Sequence, residues 1–491
     1  MNPGPNTRDR YAGCLLKLAA AVRFAALASV AALTPCVALG EDAAYRITAA
    51  RGPYFLCDPR VVEDYWNIER FVSPLVRHAK NPLITRDHPW EGTGPHLGGS
   101  VLRDPDTGRF RMWYSVFNRH AYENKLPFSY NICYTESDDG LVWRKPMLGV
   151  FDFQGSMSNN CIRLGTDKTQ NIDVCLNPTP GVHTGRFLAI HNQAGGVLVS
   201  TSDDGATFKR LSEQPAISYH SDTHNNFVFD ETRGRWLLFC RPRAYAGDHK
   251  RRVSVQTSTD LRQWTHERTI LVPTETEAQE YYGMTVFRRG DLFFGVVQIY
   301  DRTTGWLHAE LAWSGDGEHW DMLPKHPPLL ALGAPGAWDA GMVLLAESPV
   351  AVGDELWFYY GGFPLPHDTK EENVGAIGLA MAERDRLTGM KPRTKEAGTI
   401  LSRPFVPGGR RLTVNARIRA RLTAELRTDN NKPVSCFTLA DCDGVTETGF
   451  ARELRWKGRK LGDCPEKEVR VLFRLEEAEL FSFELEAGHV R

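Results

Sequence analysis

Between residues 96 and 392 the chain is a succession of short runs in which apolar and polar positions alternate or apolar residues dominate. Phe110 to Phe117, Tyr130 to Thr135, Arg186 to His191, Gly196 to Thr201, Arg235 to Cys240, Arg252 to Thr257, Leu292 to Tyr300, Leu307 to Trp313 and Glu355 to Tyr360 are of this kind. Their β-branched and aromatic content, and the Gly and Asp that bound them, predict strands rather than helices. Two kinds of turn separate them. One places a Gly ahead of an aromatic-rich strand, as at Asp104 to Gly108, His183 to Gly185, Asp230 to Gly234, Arg289 to Asp291 and Gly353-Asp354. The other repeats the phrase Ser-x-Asp-Gly-x-x-aromatic at Ser137 to Trp143, Ser202 to Phe208 and Ser314 to Trp320, with a looser copy at Ser258 to Trp264. Asp can bond its own backbone and Gly tolerates positive φ, so the phrase predicts a tight turn.

The copies begin 65, 56 and 56 residues apart, and such a period marks a radial or stacked repeat. Each unit reads as strand, Gly turn, aromatic-rich strand, third strand, Asp-Gly turn and short outer strand. Four-stranded units of this size are what β-propellers arrange around a channel. Five are countable, the fifth ending in the degenerate Ala382-Glu383-Arg384-Asp385. The expected fold is all-β: a five-bladed β-propeller over 96–392, followed by a C-terminal β-sandwich over 393–491, where runs such as Val469 to Leu475 and Leu480 to Leu485 alternate. A β-sandwich with coincidental turns is the competing arrangement. Residues 41–95 form a leading segment expected to pack on the propeller, with a helix candidate at Val61 to Lys80.

Lys plus Arg total 59 and Asp plus Glu 60, a net charge of -1 that gives no support to a nucleic-acid partner or to electrostatic membrane binding. At the start, Arg8, Arg10, Lys17 and Arg23 precede the apolar run Phe24 to Leu39, and Ala38-Leu39-Gly40 fits an export-peptidase site. Residues 1–40 are therefore expected to be a signal peptide, and the run is short of the ~20 residues a spanning helix needs. The mature protein would be secreted or periplasmic. Eight cysteines remain after that segment, of which Cys133 and Cys240 fall in interior strands and read as buried thiols. Without a Cys-x-x-Cys pair, no structural zinc site is expected.

The Gly turns also serve as a ruler for the inner strands. Twelve residues before Gly108 is His96, twelve before Gly185 is Asp173, and twelve before Gly234 is Asp222. Glu280 lies ten before Gly290 and Asp339 fourteen before Gly353. Four of five units thus place a carboxylate at one expected address, a channel mouth. Around them stand Trp90, Glu91, His224, Asn225, Tyr281, Tyr282 and Trp338. Sugars need this mixture, aromatic faces for C–H groups and carboxylates or amides for hydroxyls. Glycosidic cleavage needs two carboxyl groups across the bond. Glu280, Asp222, Asp339 and Glu91 are the catalytic candidates. Trp90, His96, Asp173, His224, Asn225, Tyr281, Tyr282, Trp338, Arg241 and His367 are candidates for substrate contact. No cofactor is expected apart from a structural Ca²⁺, which several oxygen ligands could hold.

The Asp-Gly turns, the phrase Pro349 to Gly362 and the stretch Gly375 to Ala380 resemble the five-bladed propeller glycosidases, the invertase, levansucrase and arabinanase group of glycoside hydrolase families 32, 68 and 43. That resemblance implies an exported glycoside hydrolase with a carbohydrate substrate. By position, it implies Asp222 as supporting acid and Glu280 as general acid, leaving Glu91 or Asp339 as base or nucleophile. The chain departs from the group in its first unit, where Gly94 to Gly99 replaces Asn-Asp-Pro-Asn, and in lacking Arg-Asp-Pro. Two alternatives follow: a non-catalytic carbohydrate-binding propeller, or a sialidase-like enzyme. The latter needs six blades and three clustered arginines, and Arg241, Arg243 and Arg302 occupy no repeated position.

Overall fold

The computed structural model describes residues 45, 47–48, 51–165, 169–193, 195–273, 278–408 and 410–487. The expected export segment lies outside them. Arg46–Arg491 forms one compact unit, to which all that follows refers. It is all-β, and its one α-helix among the described residues is the short Arg119–Glu123. Asn118 caps that helix by accepting a bond from the Ala121 N–H at 2.9 Å.

From Pro95 onward the strands form successive antiparallel groups. The first joins Pro95–His96 and Val101–Arg103, both on one edge of Phe110–Phe117, to Tyr130–Ser137 on the other. Next come Gln170–Leu176, Phe187–Gln193, Gly196–Ser202 and Lys209–Arg210, paired in that order. A third group runs Asn226–Asp230, Arg235–Cys240, Val253–Ser258 and Arg268–Leu271. In the fourth, Gln279–Arg289, Leu292–Asp301, Leu307–Ser314 and Asp321–Met322 pair in order. A parallel bridge between Leu307 and Met342 leads to the last group. There Met342–Leu345 and Val350–Val352 line one edge of Glu355–Phe363, and Ala376–Glu383 the other. Its outer strand is Val76–Arg77, supplied from far upstream.

The repeated turns fasten the groups to one another. In each, the Asp carboxylate accepts two backbone N–H bonds: Leu141 and Val142 to Asp139, Ala206 and Thr207 to Asp204, and Glu318 and His319 to Asp316. The Gly then meets the second strand of the neighbouring group. Trp113 Nε1 donates to the Gly205 carbonyl at 2.7 Å, and a Cβ on Gly317 would lie 2.4 Å from Leu237. Gly140 of the first group meets the last, its carbonyl accepting from the Tyr359 hydroxyl at 2.8 Å.

Val61 to Lys80 is not the expected helix. It holds strands Val62–Trp66, Ile68–Val72 and Val76–Arg77, broken at Asn67, whose φ is +51°. Its apolar residues follow no helical period, and pairing with distant strands decides the conformation. The first two of these strands enter an 8-stranded sheet with Tyr54–Phe55, Thr388–Pro392, Gly398–Ser402, Gly449–Leu454 and two strands of 18 residues, Arg410–Arg427 and Arg470–Ala487. The leading segment thus contributes strands to this sheet and to the last of the groups before it. Cys133 and Cys240 are buried free thiols, as their strand positions predict.

Candidate functional site

The inner strands of the groups bring their leading ends to a pocket of about 220 Å³. His96 comes from the first group, Asn171 from the second, Thr223 and His224 from the third, Tyr282 from the fourth, and Met342 and Leu344 from the last. Phe117, Tyr130 and Phe363 give it aromatic faces, while Arg119, Gln170, Asn373 and His367 give it donors and acceptors. Asp222, its side chain 57 % exposed, is the carboxylate on the lining, 3.7 Å from the Arg241 guanidinium.

Burial holds His96 down at about 4 and His224 at about 3, the latter aided by the nearby charges of His96 and Arg241. Both imidazoles are thus neutral at neutral pH, each offering one donor and one acceptor. His224 Nδ1 lies 3.3 Å from the Gln298 amide. The Tyr282 hydroxyl meets His367 Nε2 at 2.8 Å, and His367 Nδ1 meets Asp368 at 2.7 Å. Arg241 packs 4.7 Å over the Tyr282 ring and donates to the Tyr282 carbonyl at 2.9 Å, fixing that aromatic face.

The structure therefore brings together His96, Asp222, His224, Tyr282 and His367, with Arg241 behind them. The other sequence candidates lie elsewhere. Asp173 is buried on the same inner strand as Asn171 but two residues deeper. Glu280 is fully buried and ion-paired with Arg302 and, at 2.7 Å, with Arg251. Asp339 binds Arg77 at 2.7 Å and the Tyr360 hydroxyl at 2.9 Å, clipping the outer strand Val76–Arg77 to the last group. Glu91 is buried against Lys145 Nζ at 2.7 Å and the Tyr114 hydroxyl at 2.8 Å. Trp90 donates to Asn160 and stacks on His88, and Trp338 stacks on Tyr360. Tyr281 faces the hydrophobic core, and Asn225 bonds Asn192 and Ser221.

The one shared address expected from the ruler is thus corrected. In the fourth group the pairing register shifts at Tyr281/Gly283, between the Gly290 turn and Glu280, so counting back from that turn passes an extra residue. In a strand such a slip reverses the face on which a side chain emerges. Asn171, Thr223, Phe117 and Tyr130 line the pocket and were not among the sequence candidates.

No family model matches the chain, and no curated protein does. Among solved structures it is similar to an N-acetylgalactosamine deacetylase from F. plautii in complex with blood group B trisaccharide, at 16 % identity over 69 % of this chain and 96 % of that one, TM-score 0.43. It is similar to a GH62 hydrolase in complex with xylotriose at 12 % identity, over 63 % and 98 % of the two chains, TM-score 0.42. A putative glycosidase from Bacteroides thetaiotaomicron resembles it at 15 % identity, over 62 % and 96 %, TM-score 0.46. These likenesses transfer no residue role.

Proposed function

We propose that the strand groups are the blades of a five-bladed propeller, and that the protein is an exported glycoside hydrolase taking an oligo- or polysaccharide at the pocket. The observation that carries this reading is the pocket's construction: every group contributes to it, and aromatic faces, neutral imidazoles, amides and an exposed carboxylate share one sugar-sized hollow. Phe117, Tyr130, Tyr282 and Phe363 offer surfaces for sugar C–H groups, and Asn171, Gln170, His96 and His224 offer partners for hydroxyls. Asp222 supplies proton chemistry at the bond. Glu280, two residues from Tyr282, is the second carboxylate that such cleavage needs. The 8-stranded sheet is an accessory unit that steadies the propeller.

Two observations favour a second reading, a propeller that binds glycans without turnover. Asp222 is the only carboxylate among the pocket's lining residues, and Glu280 is committed to Arg251 and Arg302. A glycan panel assayed for new reducing ends distinguishes the two. Hydrolysis by the mature protein, lost in Asp222→Asn with an unchanged melting temperature and in a Glu280→Gln variant that still folds, supports the enzyme. Binding without release of reducing ends by the wild type supports the module.

A further inference from the structure

The 8-stranded sheet carries a hollow of about 790 Å³ that shares no lining residue with the pocket. Its floor is Glu477, Ala478 and Glu479 of the strand Arg470–Ala487, which has a different neighbour on each edge. On one edge Met390 of Thr388–Pro392 pairs with Leu480, and the chain runs on from there through Lys391, Arg393 and Lys395. On the other, Arg417 pairs with Glu479 and Ile418 with Ala478. The register then shifts before Arg421 meets Glu476, so Arg419 and Ala420 together face Glu477 alone, whose φ is +42°. A bulge of this kind bends its strand and re-aims the side chains on it. Arg419 emerges there exposed and lines the hollow.

Five cations thus line the hollow against two carboxylates, on a chain whose net charge is -1. Two of the five are anchored. Arg417 is paired with Glu383 and, at 3.3 Å, with Glu479, and Lys391 with Glu69 at 3.4 Å. Arg393, Lys395 and Arg419 are exposed and meet no carboxylate among the described residues. Asn67 clamps the wall that carries the first two of these. Its carbonyl accepts from the Arg393 N–H at 3.0 Å, and its amide donates to Thr394 Oγ1 at 3.0 Å and to the Glu396 carbonyl at 2.9 Å. A wall held in this way loses little conformational freedom when a ligand arrives.

We propose that this hollow binds a polyuronate, a polysaccharide with one carboxylate on each ring, at a site separate from the pocket. The choice of a glycan rests on the function proposed above, and the choice of a carboxylate-bearing one rests on the charges. Arg presents a planar fork that matches a carboxylate, and Arg417 already holds two of them. Glu477 and Glu479 on the floor repel anions, so the surplus of cations suits a chain of spaced single charges. Duplex nucleic acid, with a charge every ~1.7 Å of axis, or a densely sulfated chain would crowd charge onto those two acids. A bilayer surface is flat and does not enter a hollow. Held there, an acidic chain keeps the protein on its polymer while the pocket acts.

The test is calorimetric titration of the full-length protein with four probes: an oligogalacturonate, the same chain with its carboxyls reduced, heparin and duplex DNA. Oligogalacturonate should bind about tenfold or more tightly than the other three, and should weaken as NaCl rises from about 50 to about 500 mM. The double variant Arg393→Ser/Arg419→Ser should lose about tenfold or more in affinity for it. Lys395→Glu, a change on an exposed side chain, serves if the double variant does not fold. Heparin or DNA bound as tightly as oligogalacturonate would overturn the assignment. So would affinity undiminished in a folded variant, or no binding by the wild type. Hydrolysis of the glycan panel is read on the same samples. A hollow that fails beside an active pocket overturns this assignment alone, and one that binds beside an inactive pocket upholds it without the pocket.

Discussion

Replacing Gly140 with Ala tests how the strand groups are closed into a ring. Gly140 has φ +76°, and an added Cβ would lie 2.7 Å from the Tyr359 hydroxyl and 2.9 Å from Trp357, both on the last group. Three costs follow. An L-residue at this φ costs about 1–2 kcal/mol. Overpacking against two buried aromatics costs about 1–3 kcal/mol. Displacing the Tyr359 hydroxyl from the Gly140 carbonyl costs about 1 kcal/mol more. The sum is about 3–6 kcal/mol. Gly149→Ala is the control, since Gly149 has φ +68° and nothing within 4 Å of its would-be Cβ. It should cost only the conformational part, about 1–2 kcal/mol. Urea unfolding midpoints at constant m-value give both numbers. Equal losses in the two variants would refute the packing of the first group's turn against the last group.

Other consequences can be checked alongside. Asp316 is held down at about 2, its bonds from His319 and from the Glu318 and His319 N–H groups outweighing the opposing effect of burial, and Asp139, Asp204 and Asp260 are also lowered. Because these folded values lie below those of an unfolded Asp, the stability they lend is complete above about pH 4 and is lost as pH falls toward 2. Asp316→Asn should therefore flatten the drop in urea midpoint between pH 4.5 and pH 2.5, and an unchanged profile would contradict this. Asp339→Ala should destabilise by about 2–4 kcal/mol, by stranding the Arg77 guanidinium and the Tyr360 hydroxyl, while leaving ligand affinity at the pocket within about twofold. Thermal melts and glycan titrations would show whether Asp339 instead belongs to the site. In the native state Cys436, which is exposed, should react with a thiol reagent, while Cys133 and Cys161, buried with sulfurs 3.6 Å apart, should not until urea is added.

The strands and their turns were legible because their determinants are local. An Asp that bonds the two N–H groups following it, and a Gly at positive φ, need only their own few residues, so Asp139-Gly140 and Asp204-Gly205 mark their turns wherever the chain goes next. The leading segment was not legible. Val62–Trp66 and Ile68–Val72 are strands because residues more than three hundred positions downstream pair with them, as Ser402 does with Val62 and Thr388 with Val72. The site was half legible. His96 and Asp222 fell on the count and His224 and Tyr282 beside it, but Asp173 lies buried two residues past Asn171, an extra residue at Tyr282 offsets Glu280, and Asp339 and Glu91 turned out to serve ion pairs with Arg77 and Lys145. Sequence shows that a carboxylate is present, whereas its partner across the fold decides whether it is free to act.

The most direct measurement is a crystal structure of Asp222→Asn soaked with an oligosaccharide selected from the glycan panel. A sugar ring seated in the pocket against Tyr282 or Phe117, with its glycosidic oxygen within hydrogen-bond reach of residue 222, is the expected result. An empty pocket with the sugar bound only in the groove formed by Lys391, Arg393, Arg417 and Arg419 would contradict it.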